Sequence, residues 1–179
     1  MNINGVHHQT IWQSKENPEV IQVFDQRVLP NKIEIVDLKS TKDVFYAIQD
    51  MIVRGAPLIG VTAAFGMYIA ALEARNESKP VEYIKEQGAW LNESRPTAVN
   101  LAWAINEQLR QIDGLNDLNE IIAKLFSNAA RIWQEDIDCS KKIGEFGREI
   151  IRKIAERKGG KPVNILTHCN AGWLATIDY

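Results

Sequence analysis

The chain has 179 residues, 45% apolar and 25% charged, with a formal net charge of -2. That length holds one soluble domain, or one domain and a piece of a second. The charge balance lacks the basic surplus that marks a nucleic-acid binder.

The first forty residues read as β structure. Ile21-Gln22-Val23-Phe24-Asp25 and Ile33-Glu34-Ile35 alternate and are rich in β-branched residues, and Ile11-Trp12 adds a third strand. Leu29-Pro30-Asn31-Lys32 supplies a turn between them. The expectation is a small antiparallel meander, an appendage rather than a site.

At Ser40 the period becomes helical. Ser40 or Thr41 can cap a helix running to about Val53, with Val44, Phe45, Ile48 and Ile52 on one face. Arg54-Gly55-Ala56-Pro57 interrupts it, and Pro57 falls in the first turn of the next helix, where its missing N–H costs nothing. That helix, Ala56 to Leu72, is nearly all apolar. At the lower limit of ~17 residues for a bilayer span, and with no second such segment, it reads as the buried central helix of a bundle. No membrane contact is expected.

Further helices are expected over Val81–Asn92, Thr97–Ile112 and from about Leu118 through Trp133. Another carries Ile143, Phe146, Ile150, Ile151 and Ile154. Residues 141–161 hold eight Lys/Arg against three Glu, which reads as a solvated helix face. Lys158-Gly159-Gly160-Lys161-Pro162 ends that helix and marks the best domain boundary. Val163 to Thr167 then has the pattern of a short buried strand opening a parallel α/β sheet. The fold class is therefore α+β, mainly α: residues 1–160 form a meander and helical domain, and residues 161–179 start a second, truncated one.

Two cysteines, Cys139 and Cys169, and three histidines show no C-x-x-C or H-x-x-x-H spacing, so a structural metal site is not expected. Free thiols without a basic and apolar leader point to a cytoplasmic protein. Three stretches are candidates to carry chemistry, although the first also fits a plain helix–helix connection with a surface Arg and the second an ordinary helix cap. Arg54-Gly55-Ala56-Pro57 combines a cation, a glycine that permits close backbone approach, and a helix start whose free N–H groups favour an anion. Ser94-Arg95-Pro96-Thr97 repeats that logic, with Thr97 as cap or hydroxyl donor. Cys169 is the candidate catalyst, since a thiol between a strand and a helix start can have its pKa lowered. The competing reading, a small buried hydrophobe, fits less well beside His168 and Asn170. His168 is disfavoured as its base, because neighbours on a strand face opposite ways. Cys139 is assigned to structure, and Asp178 is either structural or site-lining.

Arg54-Gly55-Ala56-Pro57-Leu58-Ile59-Gly60, Ser94-Arg95-Pro96-Thr97-Ala98-Val99-Asn100-Leu101 and Thr167-His168-Cys169-Asn170-Ala171-Gly172-Trp173-Leu174-Ala175-Thr176 together resemble the motifs of the S-methyl-5-thioribose-1-phosphate isomerase family, in order and spacing. The wider superfamily also holds 5-deoxyribose 1-phosphate isomerases and non-catalytic regulatory subunits of a translation-initiation guanine-exchange factor, and both remain alternatives. The resemblance implies a Rossmann-like second domain and an aldose–ketose isomerase of methionine salvage. Its substrate is a small sugar phosphate and it uses no metal or organic cofactor. Arg54, Gly55, Ala56 and Arg95 would bind substrate and Cys169 would be the catalytic thiol. A partner Asp lies beyond Tyr179, which leaves the 179-residue chain inactive alone. The full-length protein is expected to be a homodimer.

Overall fold

The computed structural model describes residues 2–168 and 171–179. A short hairpin opens the chain, β1 (Asn2–Ile3) with β2 (Val6–His7). Asn4 and Gly5 between them have φ of 52° and 81°. Positive φ at both central residues matches the right-handed twist of the flanking strands, which is why Asn-Gly closes two-residue hairpins.

The expected meander follows: β3 (Ile11–Gln13), β4 (Ile21–Phe24) and β5 (Ile35–Leu38), antiparallel in that order. Register sorts the two faces. Ile11 pairs with Val23 and Ile21 with Leu38, and all four are fully buried against the helices. The alternate pairs, Trp12 with Gln22 and Gln22 with Asp37, face outward. Trp12 Nε1 donates to Gln22 Oε1 at 2.9 Å, and Gln22 Nε2 donates to Asp37 Oδ1 at 2.8 Å. The third strand begins at Ile35, two residues later than the apolar alternation at Ile33-Glu34-Ile35 suggests. Leu38, the partner of buried Ile21, sets the register, while Ile33 and Ile35 stay half exposed.

Helix α1 (Thr41–Gln49) is capped by Ser40, not Thr41. Ser40 Oγ accepts from the Asp43 N–H, and Asp43 Oδ2 accepts from the Ser40 N–H, a reciprocal capping box. It stops short of the expected Val53, because Met51 turns into positive φ at 60°. Helix α2 (Ala56–Glu73) has every residue from Leu58 to Ala71 buried, as its uninterrupted apolar sequence requires. It is long and apolar enough to cross a membrane, yet its surface is taken up by the other helices. Gly66 makes one approach possible: a Cβ there would lie 2.8 Å from Val44.

Around α2 stand α3 (Pro80–Asn92), α4 (Val99–Gln111) and α5 (Leu118–Arg157). A buried amide network ties three of them. Gln108 Nε2 donates to the carbonyls of Ala64 and Leu125, and Asn128 Nδ2 donates to Gln108 Oε1, all within 2.9 Å. The two helices expected after Leu118 are one helix of 40 residues. The polar stretch 134–142 contains no proline, and a change of face is not a break. Its buried residues end at Ile137; beyond, Ile143, Phe146 and Ile150 are exposed.

The strand expected at Val163–Thr167 is not formed. Residues 161–168 have no regular structure, and Leu166 is 98% exposed. Strand geometry needs a hydrogen-bonded neighbour, and among the described residues no strand lies alongside this segment. After Gly172 the chain returns to the body in a 3-10 turn (Trp173–Ala175), and Ile177 is fully buried.

Candidate active site

The N-termini of α2 and α4 open into one cleft of about 580 Å³. It is lined by Arg54, Gly55 and Ala56 from the first motif and Arg95 and Thr97 from the second. Four residues singled out in two separate stretches are thus brought together: Arg54, Gly55, Ala56 and Arg95. Pro57 also lines the cleft, in the first turn of α2.

The local structure explains why an anion suits the cleft. Helix α2 is capped by Gly55 and α4 by Ala98, and neither supplies a side-chain hydrogen bond. The leading N–H groups of both helices therefore lack a side-chain acceptor, and each carries the positive end of a helix dipole. Thr97 is not the cap: Ala98 holds that position and α4 begins at Val99. Arg54 adds a guanidinium whose Nε is buried with no hydrogen-bond partner. Among the described residues, the ion pairs formed by other arginines do not include Arg54 or Arg95. Such a donor is costly to leave unmet, and a bound oxyanion would meet it.

Gly55 has φ of +96°, and a Cβ on it would lie 2.4 Å from the Ala175 Cα. The close approach expected of Gly55 thus has a neighbour within the protein itself. Ala175 also lines the cleft, so the end of the third motif reaches the other two.

Cys169, the proposed catalyst, lies outside the described residues. His168 is exposed and sits in no strand, so the alternating geometry that set it apart from Cys169 does not apply. Cys139 is an exposed free thiol on α5, remote in sequence and absent from the cleft lining. Asp178 is buried: its Oδ2 contacts His7 Nε2 at 2.6 Å, and its Oδ1 accepts from the Tyr179 N–H. It ties the chain end to the first hairpin and does not line the cleft. Among the described residues no cluster of His, Cys, Asp and Glu could hold a metal ion.

Sequence reasoning missed Asp136, Thr10 and Gln26. Asp136 Oδ2 accepts from the Ile177 N–H at 2.9 Å, and burial pushes its carboxyl above the usual range, a tendency the Ile177 bond opposes. Nothing local marks these residues, because their side-chain partners among residues 174–177 lie 41 to 167 positions away.

The chain is similar to known proteins over its whole length. The chain is 42% identical over its whole length to a methylthioribose-1-phosphate isomerase of Desulfatibacillum aliphaticivorans, and 45% identical to one of Sinorhizobium medicae. In each case it spans about half the relative, 48% of its length. Among solved structures it is similar to a 5-methylthioribose 1-phosphate isomerase from Pyrococcus horikoshii. There the TM-score is 0.81 at 31% identity, over 96% of this chain and 46% of that one. It is also similar to the translation initiation factor eIF-2B subunit delta from A. fulgidus, with TM-score 0.78 at 27% identity, over 96% of this chain and 48% of the other. The model of the initiation factor 2 subunit family matches residues 52–177, from just after α1 to the buried Ile177, and the chain belongs to that family.

Proposed function

We propose that this chain is the phosphate-gripping part of an aldose–ketose isomerase that converts 5-methylthioribose 1-phosphate to 5-methylthioribulose 1-phosphate in methionine salvage. The observation that supports it most is the convergence of Arg54 and Arg95 on two helix N-termini that lack side-chain caps, in one cleft. The names of the relatives supply the substrate.

In this reading the ester phosphate sits between the two guanidiniums and the first-turn N–H groups of α2 and α4. The anomeric carbon is an ester, so ordinary opening to a free aldehyde is blocked. The ring must be opened by acid–base assistance while hydrogen moves from C2 to C1. Substrate and product are isomers, so no oxidant or reductant is consumed. Cys169 is one acid–base group. Its partner Asp belongs to a Rossmann-like second domain that follows residue 160 and extends past Tyr179. The 179-residue chain by itself is accordingly inactive, and the complete protein is a cytoplasmic homodimer.

A second reading is favoured by the likeness to the initiation-factor subunit: a regulatory subunit acting through protein contact. The two separate on one experiment. Titration of this chain with inorganic phosphate should give saturable binding, weakened roughly tenfold by Arg54→Ala or Arg95→Ala, as for a lost charge-assisted hydrogen bond. In a protein carrying this chain at the length of its relatives, Cys169→Ser should abolish turnover of 5-methylthioribose 1-phosphate. Unchanged turnover, or no phosphate binding, favours the regulatory reading. Comparing kcat/KM on 5-deoxyribose 1-phosphate decides between the two isomerase substrates.

A further inference from the structure

Helix α5 carries a second apolar stripe, and among the described residues nothing covers it. Past Ile137, where the buried residues of α5 end, Ile143, Phe146, Ile150 and Ile154 follow at intervals of three or four residues. That spacing puts their side chains on one side of the helix. Ile143, Phe146 and Ile150 are exposed, Phe146 by 72%, and Ile154 is half-buried. Single exposed apolar residues need no explanation. A stripe of them about three turns long marks a contact surface.

The chain around the stripe indicates what belongs on it. After α5 ends at Arg157, residues 158–162 turn the chain through Gly159 and Gly160, at φ of 57° and 87°. The apolar run 163–167 follows, and its Ile165 and Leu166 are exposed as well. A helix, a connection of two to six residues and a strand make up half of an α/β unit, whose helix lies along the face of its sheet. The lengths match: from Ile143 to Ile154 the helix rises about 18 Å, and five residues of strand span about 17 Å. At the other end of the stripe, Tyr179 shares a groove on α5 with Ser140, Gly144 and Arg148. A chain continuing past Tyr179, as the isomerase reading requires, starts beside this same half of α5. The relatives have the length for it, since this chain spans 48% of them.

Resting on the two-domain reading above, we propose that α5 beyond Ile137 is a helix of the second domain, and that its stripe seats the sheet opened by residues 163–167. The occupant is the remainder of the complete protein, not another molecule. The stripe and the run 163–167 are exposed for one reason: each needs the rest of that sheet as its partner. The boundary between the domains then falls inside α5, between Ile137 and Ile143, rather than at Gly159-Gly160. One continuous helix thus serves both cores.

Amide exchange over residues 143–154 tests this, compared between this chain and a protein carrying it at the length of its relatives. Exchange there should be about tenfold slower in the longer protein, with residues 121–132 alike in the two. In the longer protein Phe146→Glu should abolish the added protection, and Phe146→Leu should keep it. Neither should move the melting midpoint of the 179-residue chain by more than about 1 °C. Equal exchange at the two lengths overturns the proposal, as does protection that survives Phe146→Glu. The eight Lys/Arg against three Glu over residues 141–161 would also suit an anionic membrane. Binding of the longer protein to phosphatidylserine vesicles, lost in Phe146→Glu, therefore overturns the seat in favour of a lipid surface. Protection of the 179-residue chain that grows with its concentration overturns it in favour of a second copy. The isomerase reading fails separately: added protection in a longer protein that does not turn over 5-methylthioribose 1-phosphate upholds the seat and removes the activity.

Discussion

A methyl group at position 55 would sit 2.4 Å from the Ala175 Cα, on a backbone already at φ +96°. Both conditions disfavour any side chain, so Gly55→Ala should cost about 2–5 kcal/mol, strain and overpacking together; urea unfolding measures it. The need for glycine there is readable from the motif. The reason is only half readable, because the neighbour that crowds it comes from 120 positions later in the chain. Asp25 offers a second test at this scale. Its carboxyl is 3% exposed, and the Arg27 guanidinium, bonded to both its oxygens, holds it below the usual carboxylate range. A lowered folded-state pKa contributes stability above the unfolded value, near pH 4, and that contribution fades as pH falls through the folded value. The stability gap between the parent and Asp25→Asn should therefore be full at pH 7 and shrink below about pH 4. Urea midpoints across that range check the sign.

Elements were legible where one signal dominated. Helix α2 follows from an apolar run with Pro57 in its first turn, and α1 from a Ser40 or Thr41 cap ahead of Val44, Phe45 and Ile48, although only the structure shows Asp43 completing a capping box with Ser40. Ser40→Ala should cost about 1 kcal/mol of stability. The first hairpin was equally available from Asn4-Gly5 and was overlooked. Helix α5 and the segment 163–167 show the opposite limit. Apolar residues imply burial only if a partner exists, and here the partner surface ends at Ile137. Ile132, 5% exposed, and Ile150, 62% exposed, look alike as sequence. Thermal melts should separate them: Ile132→Ala is expected to lose about 2–5 kcal/mol, and Ile150→Ala to stay within about 0.5 kcal/mol of the parent.

For the molecule as a whole, the candidate site depends on placement that no local pattern carries. Two helix starts and two arginines were visible separately. Their meeting in one cleft depends on α2 and α4 lying side by side, locked by the amide of Gln108 on the Ala64 carbonyl. The contacts that hold the chain end span still greater separations: His7 to Asp178 bridges 171 positions. Since the cleft holds two half-buried cationic groups open to solvent on one side, phosphate affinity should fall severalfold between 0.05 M and 0.5 M salt, as screening shortens the range of its charges. Calorimetry over that range is the measurement; an affinity indifferent to salt would place the anion elsewhere.

Helix α5 gives the molecule an unequal lever. Its first half is held by buried residues and by the Asn128–Gln108 bond, and its core contacts end at Ile137. The remaining twenty residues to Arg157 extend about 30 Å at the α-helical rise of 1.5 Å per residue. A tilt of only about 10° at the fulcrum would carry the far end about 5 Å, while hardly disturbing the packing that permits it. The run from Lys158 to His168 hangs from that tip, and the run from Trp173 to Ile177 is pinned to the body.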